Sequence, residues 1–175
     1  MEDFFEKKFC TNGCCHYITS QFTLPRKTKK TSPKKAGAFI YDYKERLILL
    51  VQSRGNMWGM PKGTFERNET SHDCTIREVA EETGITIPES FFENLDKKSI
   101  LNVYSNGYYY FYPVNKNTME EITIPKNIVD NDVNAIGWFK VKCMIDMYRL
   151  GDITINNHTA RCMKFFLGID LLSYK

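Results

Sequence analysis

Residues 63–85, GTFERNETSHDCTIREVAEETGI, place four acidic residues and one arginine where a helix can gather them. After the loop-like start, Thr70 or Ser71 serves as N-cap, Asp73 suits the positive end of the first turn, and Gly84 stops the helix. At about 100° per residue, Glu78, Glu81 and Glu82 stand at i, i+3 and i+4 and share one face. Like charges so arranged destabilise a helix unless a cation sits among them. Mg²⁺ takes carboxylate oxygens and keeps part of its shell for water and phosphate, so the face suits metal-assisted phosphoryl chemistry. Cys74, Ile76, Val79, Ala80 and Thr83 form the opposite face and can pack on a sheet.

Around this stretch the 175 residues suffice for one substantial core, and 42% apolar with 14% aromatic residues describe a globular chain. The net charge of +3 is uneven: residues 1–37 carry +5 and the remainder −2. A basic tail beside an acidic metal site fits a polyanionic substrate. Apolar runs such as Leu47 to Val51 are far shorter than a membrane span of roughly 20 residues, and Met1-Glu2-Asp3 does not begin a signal peptide. A soluble, cytoplasmic protein with no membrane partner is expected.

Six cysteines show no regular framework, and reduced thiols are expected. The short spacing of Cys10, Cys14, Cys15 and His16 suits a zinc site, but no second pair follows nearby, so packed or exposed thiols are the alternative. In residues 25–35, PRKTKKTSPKK, the cations Arg26, Lys27, Lys29, Lys30, Lys34 and Lys35 mark a solvated linker or an RNA-phosphate contact. AGAFIYD and RLILLVQS, joined by a turn at Asp42, predict a β-hairpin. The broken loop RGNMWGMPKG then delivers Trp58 and Lys62: Trp58 is a packing anchor or a base-stacking residue, and Lys62 a candidate phosphate contact. Asn106-Gly107 predicts a second hairpin, whose tyrosines at 108, 109, 110 and 112 alternate between faces. AIGWFKV reads as a last strand and KCMIDMYRL as a short helix. Residues 156–174 read as a helix with Met163, Phe166, Leu167, Ile169, Leu171 and Leu172 inward, Arg161 and Lys164 outward.

A bare run of glutamates on a helix is commonly just a solvated face. Here Gly63, Glu69 and the continuous Arg77-Glu78-Val79-Ala80-Glu81-Glu82-Thr83-Gly84-Ile85 fill every fixed position of the Nudix box, and the chain resembles that family. The resemblance implies an α/β fold, the Nudix α/β/α sandwich with a mixed β-sheet, and hydrolysis of nucleoside-diphosphate linkages with Mg²⁺ or Mn²⁺. It implies that Glu78, Glu81 and Glu82 hold metal with the Gly63 carbonyl, while Arg77 and Glu69 brace the helix. Residues 36–175 would form the Nudix domain and 1–35 an N-terminal extension with its basic segment.

AGAFIYD, WGMPKG, HDCTIREVAEETGI, IGWF and MKFF resemble one branch more closely, the catalytic subunits of mRNA decapping enzymes. That resemblance implies capped mRNA as partner and substrate, a further catalytic carboxylate at Asp132, with Glu120, Glu121 or Asp130 as substitutes, and an RNA-binding surface around Lys164. The branch's N-terminal regulatory domain has no counterpart in 1–35, so Trp58, Tyr108 and Tyr110 become candidates for stacking on the cap. A compact, one-domain form resembles the decapping Nudix proteins of large DNA viruses. The alternatives are hydrolysis of diphosphoinositol or dinucleoside polyphosphates, or a non-catalytic RNA-binding Nudix module.

Overall fold

The computed structural model describes residues 5–20, 34–53, 57–103, 107–118 and 133–174. Among them ten strands form one mixed sheet whose main path sets an N-terminal hairpin on one side of three central strands and a second hairpin on the other. The central strands β3 (Lys35–Asp42), β4 (Leu47–Ser53) and β9 (Val133–Lys140) are almost wholly buried, which explains their continuous apolar runs. β3 and β4 form the expected antiparallel hairpin. In its turn Asp42 Oδ1 accepts from the Lys44 and Glu45 amides at 2.8 and 3.0 Å. β7 (Ile100–Val103) and β8 (Gly107–Val114) form the second hairpin, and β8 runs parallel to β3.

Alternation along each strand sends side chains to two cores. Ala38, Ile40, Leu49, Val51, Ile136 and Trp138 meet Val79 of helix α1 (Ser71–Thr83). Phe39, Ile48, Leu50, Trp58 and Phe139 meet Met144 of α2 (Val141–Leu150) and Met163 of α3 (Asn157–Leu167). Helices therefore cover both faces, the α/β/α sandwich expected. The final helix is shorter than the sequence suggests. Gly168 ends it at φ 70°, a 3-10 turn carries Leu171–Tyr174, and Leu172 is exposed rather than inward.

The β9 strand is not terminal in the sheet. The hairpin of β1 (Phe5–Phe9) and β2 (His16–Ser20) extends beyond it, β2 pairing antiparallel with β9 from Trp138 to Ala135. Two short strands, β5 (Met57–Gly59) and β6 (Lys62–Thr64), lie off the main path against β4 and β3, and β5 also pairs with β10 (Thr154–Ile155). Thus β6 is held beside α1. No helix among the described residues is long and apolar enough to cross a membrane.

Candidate active site

Helix α1 begins in a capping box. Thr70 Oγ1 accepts from the Asp73 amide at 3.2 Å while Asp73 Oδ2 accepts from the Thr70 amide at 2.9 Å. Gly84 closes the other end, its amide donating to Ala80 O at 2.9 Å. Within this frame Arg77 is the hub. Its Nε and Nη2 donate to Glu69 at 2.6 and 2.9 Å, Nη2 also to the Thr64 carbonyl at 3.0 Å, and Nη1 to Glu78 and Glu81 at 2.9 and 3.1 Å. A planar guanidinium with five donors fits this role better than an ammonium. The same pairing holds the Glu69 carboxyl below its usual range.

Glu82 turns the other way. Its Oε2 accepts from the Lys62 amide at 2.8 Å, joining α1 to β6. Burial pushes its carboxyl up to about 8, against the opposing influence of the Lys62 charge. Burial likewise raises Glu78, and it lowers the Lys62 ammonium. At Gly63 a Cβ would run into the Glu78 carboxylate, so only glycine lets the β6 backbone lie against it. Hard oxygen donors, two of them desolvated and of like charge, beside a backbone left bare by a glycine, fit a divalent cation. Glu78, Glu81, Glu82 and the Gly63 carbonyl are the residues that would hold it.

Two groups beside this site carry no signal in the sequence. Tyr109 Oη and His158 Nδ1 lie 2.8 Å apart. Burial, then the charges of Lys62 and Lys35, push the His158 imidazole down to about 4, so it is neutral at neutral pH. His158 belongs to α3, and its approach to β8 depends on how α3 packs. A lone histidine near a helix start does not announce that partner.

The aromatic candidates separate. Trp58 is 4% exposed, edge-on to Phe139 with centroids 4.8 Å apart and to Tyr17 at 5.5 Å; it is a packing anchor, not a stacking platform. Tyr110 is 2% exposed, with its hydroxyl on Ser71 Oγ at 2.7 Å and its ring against His72 and Phe92, so it too is structural. Tyr108 is half-buried beside Phe65 and remains accessible. Lys34, Arg161 and Lys164 are exposed, Lys164 pairing with Asp170 at 2.6 Å, and Lys35 starts β3 half-buried. Asp132, Glu120, Glu121, Asp130, Arg26, Lys27, Lys29 and Lys30 lie outside the described residues. A cavity of about 910 Å³ opens between β1–β2 and α2, lined by Trp58, Phe139 and Met147 but by none of the box carboxylates.

A sandwich of this topology, with a glutamate-bearing helix braced through one arginine, is the architecture of a Nudix hydrolase. The chain belongs to the NUDIX family: the model of the NUDIX domain matches residues 31–154. It is 28% identical over 152 residues to the 111R protein of Invertebrate iridescent virus 3, whose name offers it as a hydrolase, covering 83% of this chain and 84% of that one. It is 27% identical over 116 residues to the m7GpppN-mRNA hydrolase of Saccharomyces cerevisiae, covering 66% of this chain but only 11% of the yeast protein. Among solved structures, the dihydroneopterin triphosphate pyrophosphohydrolase of E. coli shares the fold, with TM-score 0.56 and 15% identity over 82% of this chain and all of that one. A Francisella tularensis NMN adenylyltransferase/ADP ribose pyrophosphatase aligns at TM-score 0.55 and 17% identity, over 85% of this chain and 43% of that one.

Proposed function

We propose that the protein is a Mg²⁺- or Mn²⁺-dependent decapping pyrophosphohydrolase. It cleaves the 5′ cap of mRNA to 7-methylguanosine diphosphate and leaves a 5′-monophosphate RNA. The observation that carries the reading is geometric: α1 gathers Glu78, Glu81 and Glu82 beside the β6 backbone that Gly63 leaves bare, with Glu82 pinned by the Lys62 amide and Glu78 and Glu81 by Arg77. The likeness to decapping catalytic subunits in yeast and, at 32% identity over 97 residues, in Arabidopsis thaliana supports the substrate class.

When bound, the cation neutralises the carboxylates and polarises the phosphoryl oxygens. Arg77 fixes the Glu78 and Glu81 carboxylates and does not itself reach for substrate, since its Nε, Nη1 and Nη2 already donate to the protein. Lys62 and Lys35 supply positive charge for the bridging phosphates, and Tyr108 is the accessible ring for the methylated base. The proton of the attacking water goes to a carboxylate, either a box glutamate or one in the 120–132 segment, with Asp132 at the position of the glutamate that serves the branch as metal ligand or general base. Exposed cations, Lys34, Arg161 and Lys164 with the 26–30 cluster, would follow the RNA backbone. A cytoplasmic location suits this substrate.

The test is to incubate the protein with either metal and cap-labelled RNA, beside free cap dinucleotide, a dinucleoside polyphosphate and a diphosphoinositol polyphosphate. Release of 7-methylguanosine diphosphate from RNA in preference to the small molecules supports decapping. Turnover of the small molecules alone would move the function to metabolite pyrophosphates.

A further inference from the structure

We propose that Cys10, Cys14, Cys15 and Cys143 form a structural zinc site that fastens the N-terminal hairpin to α2. The four Sγ atoms all lie within 4.8 Å of one another. Cys10 and Cys14 are 3.7 Å apart, Cys14 and Cys15 3.9 Å. Four sulfurs placed about 2.3 Å from a zinc ion form a tetrahedron with edges of about 3.8 Å. The Cys10–Cys14 and Cys14–Cys15 separations match that edge, and all four sulfurs lie within 4.8 Å of one another. They are also too far apart for a disulfide, whose sulfurs meet at about 2.05 Å.

The backbone is arranged for thiolates. The Cys15 amide donates to Cys10 Sγ at 3.3 Å, and the Lys140 amide to Cys15 Sγ at 3.2 Å. Such N–H groups spread the excess negative charge that four thiolates leave around a divalent ion. The turn that presents three of the sulfurs is a tight knuckle. Gly13 adopts φ 68° and its amide closes on Cys10 O at 2.8 Å, while the Cys10 amide donates to Cys15 O at 3.1 Å. Cys143 arrives from the first turn of α2, on the far side of β9 in the chain. The pattern Cys10, Cys14, Cys15, His16 suggests histidine as the fourth ligand, but His16 is not in the cluster. Its Nε2 faces Lys116 Nζ at 3.2 Å.

A buried cysteine usually packs as a small apolar group against carbon. Here four sulfurs face one another, and Cys14, only half-buried, leaves an entry path. The ion would also answer a structural need. Glu6, Lys7, Lys8 and Phe9 of β1 are exposed, and β1 lies at the sheet edge, reaching the rest of the sheet through β2, so a tie at its end would fasten it to α2. Tetrahedral sulfur donors select zinc over the hard cations suited to α1, so the two sites would not compete. The hairpin that carries these thiols lies outside the residues matched by the NUDIX domain.

The test uses the full chain, produced without a metal-affinity tag in zinc-supplemented medium and passed over a chelating resin. Elemental analysis is expected to find one zinc per chain, retained by Glu82→Gln and lost, to below about a fifth, in Cys14→Ser and Cys143→Ser. Should those variants fold poorly, Co²⁺ titration of the metal-stripped wild type replaces them. Tetrahedral thiolate coordination gives intense visible d–d bands and near-ultraviolet sulfur-to-cobalt charge transfer, saturating at one equivalent and bleached by zinc. Zinc-free protein with no such bands, or a Cys10–Cys14 disulfide in the freshly purified, unreduced chain, overturns the proposal.

Discussion

The two faces of the sheet carry polar clusters built in opposite ways. On the α1 face, Arg77 organises Glu69, Glu78 and Glu81, while Lys62 pins Glu82; every partner lies between positions 62 and 82. On the α2 face, three thiols from one turn meet a fourth that depends on how β2 pairs with β9 and where α2 begins. The first cluster is assembled by a helix and one adjacent strand, the second by the whole topology. The first is held by charge-assisted side-chain hydrogen bonds present without an ion; the second is held by backbone hydrogen bonds around its turn, with its sulfurs facing one another. Damage to one should therefore leave the other intact.

The largest effect that tests this independence is on turnover. Glu82→Gln removes the charge that the cation needs but preserves shape, and is expected to lower turnover by ~10³-fold, roughly 4 kcal/mol in the barrier. Zinc content and the melting of the β1–β2 hairpin should not move. Near-normal turnover at saturating Mg²⁺ would falsify the assignment of Glu82. Arg77→Met comes next. It strands the carboxylate of Glu69 and leaves Glu78 and Glu81 facing each other unscreened, which is expected to cost about 3 kcal/mol in urea unfolding, on the scale of breaking a partly buried ion pair. Full activity with unchanged stability would mean that Arg77 is only a surface charge.

This division also governs what can be read from the amino-acid sequence. The shared face of Glu78, Glu81 and Glu82 follows from helical periodicity, the N-cap and the stop at Gly84 from residue type, and the places of Gly63, Glu69 and Arg77 from the resemblance to the Nudix box, so the α1 site is legible in the sequence. For Trp58 and Tyr110 the sequence leaves core and cleft open, because a strand residue's fate depends on what covers that face. Only the approach of Phe139 and of Phe92 decides it. The β1–β2 hairpin is hidden because its outer strand shows no buried alternation. Cys143 and His158 are hidden because each finds its partners through helices joined far along the chain.

A smaller effect concerns pH. The Glu82 carboxyl rises from an ordinary 4.5 to about 8 on folding without metal. Between those values the folded chain holds a proton that the unfolded chain has lost, so protons bound are fewer in the unfolded state and stability falls as pH rises. This contribution is complete below pH 4.5 and lost by about pH 8. His158 acts oppositely: with its imidazole lowered from 6.5 to about 4, stability rises with pH across that interval. Cys10, lowered from 9.0 to about 6, has the same sign as His158 between those values, so the Glu82 contribution is read as a decline of metal-free unfolding midpoints between pH 6.5 and 8 in the wild type relative to Glu82→Gln. Glu82→Gln should flatten that decline, and saturating Mg²⁺ should reduce it. An equal slope in wild type and Glu82→Gln would assign the titration elsewhere.

The smallest effect is at the edge of the molecule, where α3 ends. Lys164 reaches Asp170 across Gly168, and both side chains are solvated. Water and salt screen such a pair, so Lys164→Ala should leave the unfolding midpoint unchanged within error. If this lysine contacts RNA, the substitution lowers affinity and makes the salt dependence of binding shallower by ~0.7 in log-log slope, the value for one phosphate on a single strand. Asp170→Asn supplies the opposite sign. It frees the ammonium that the carboxylate now occupies, so RNA affinity should rise. Binding indifferent to both changes would remove α3 from the RNA surface and leave the basic segment before β3 as the candidate.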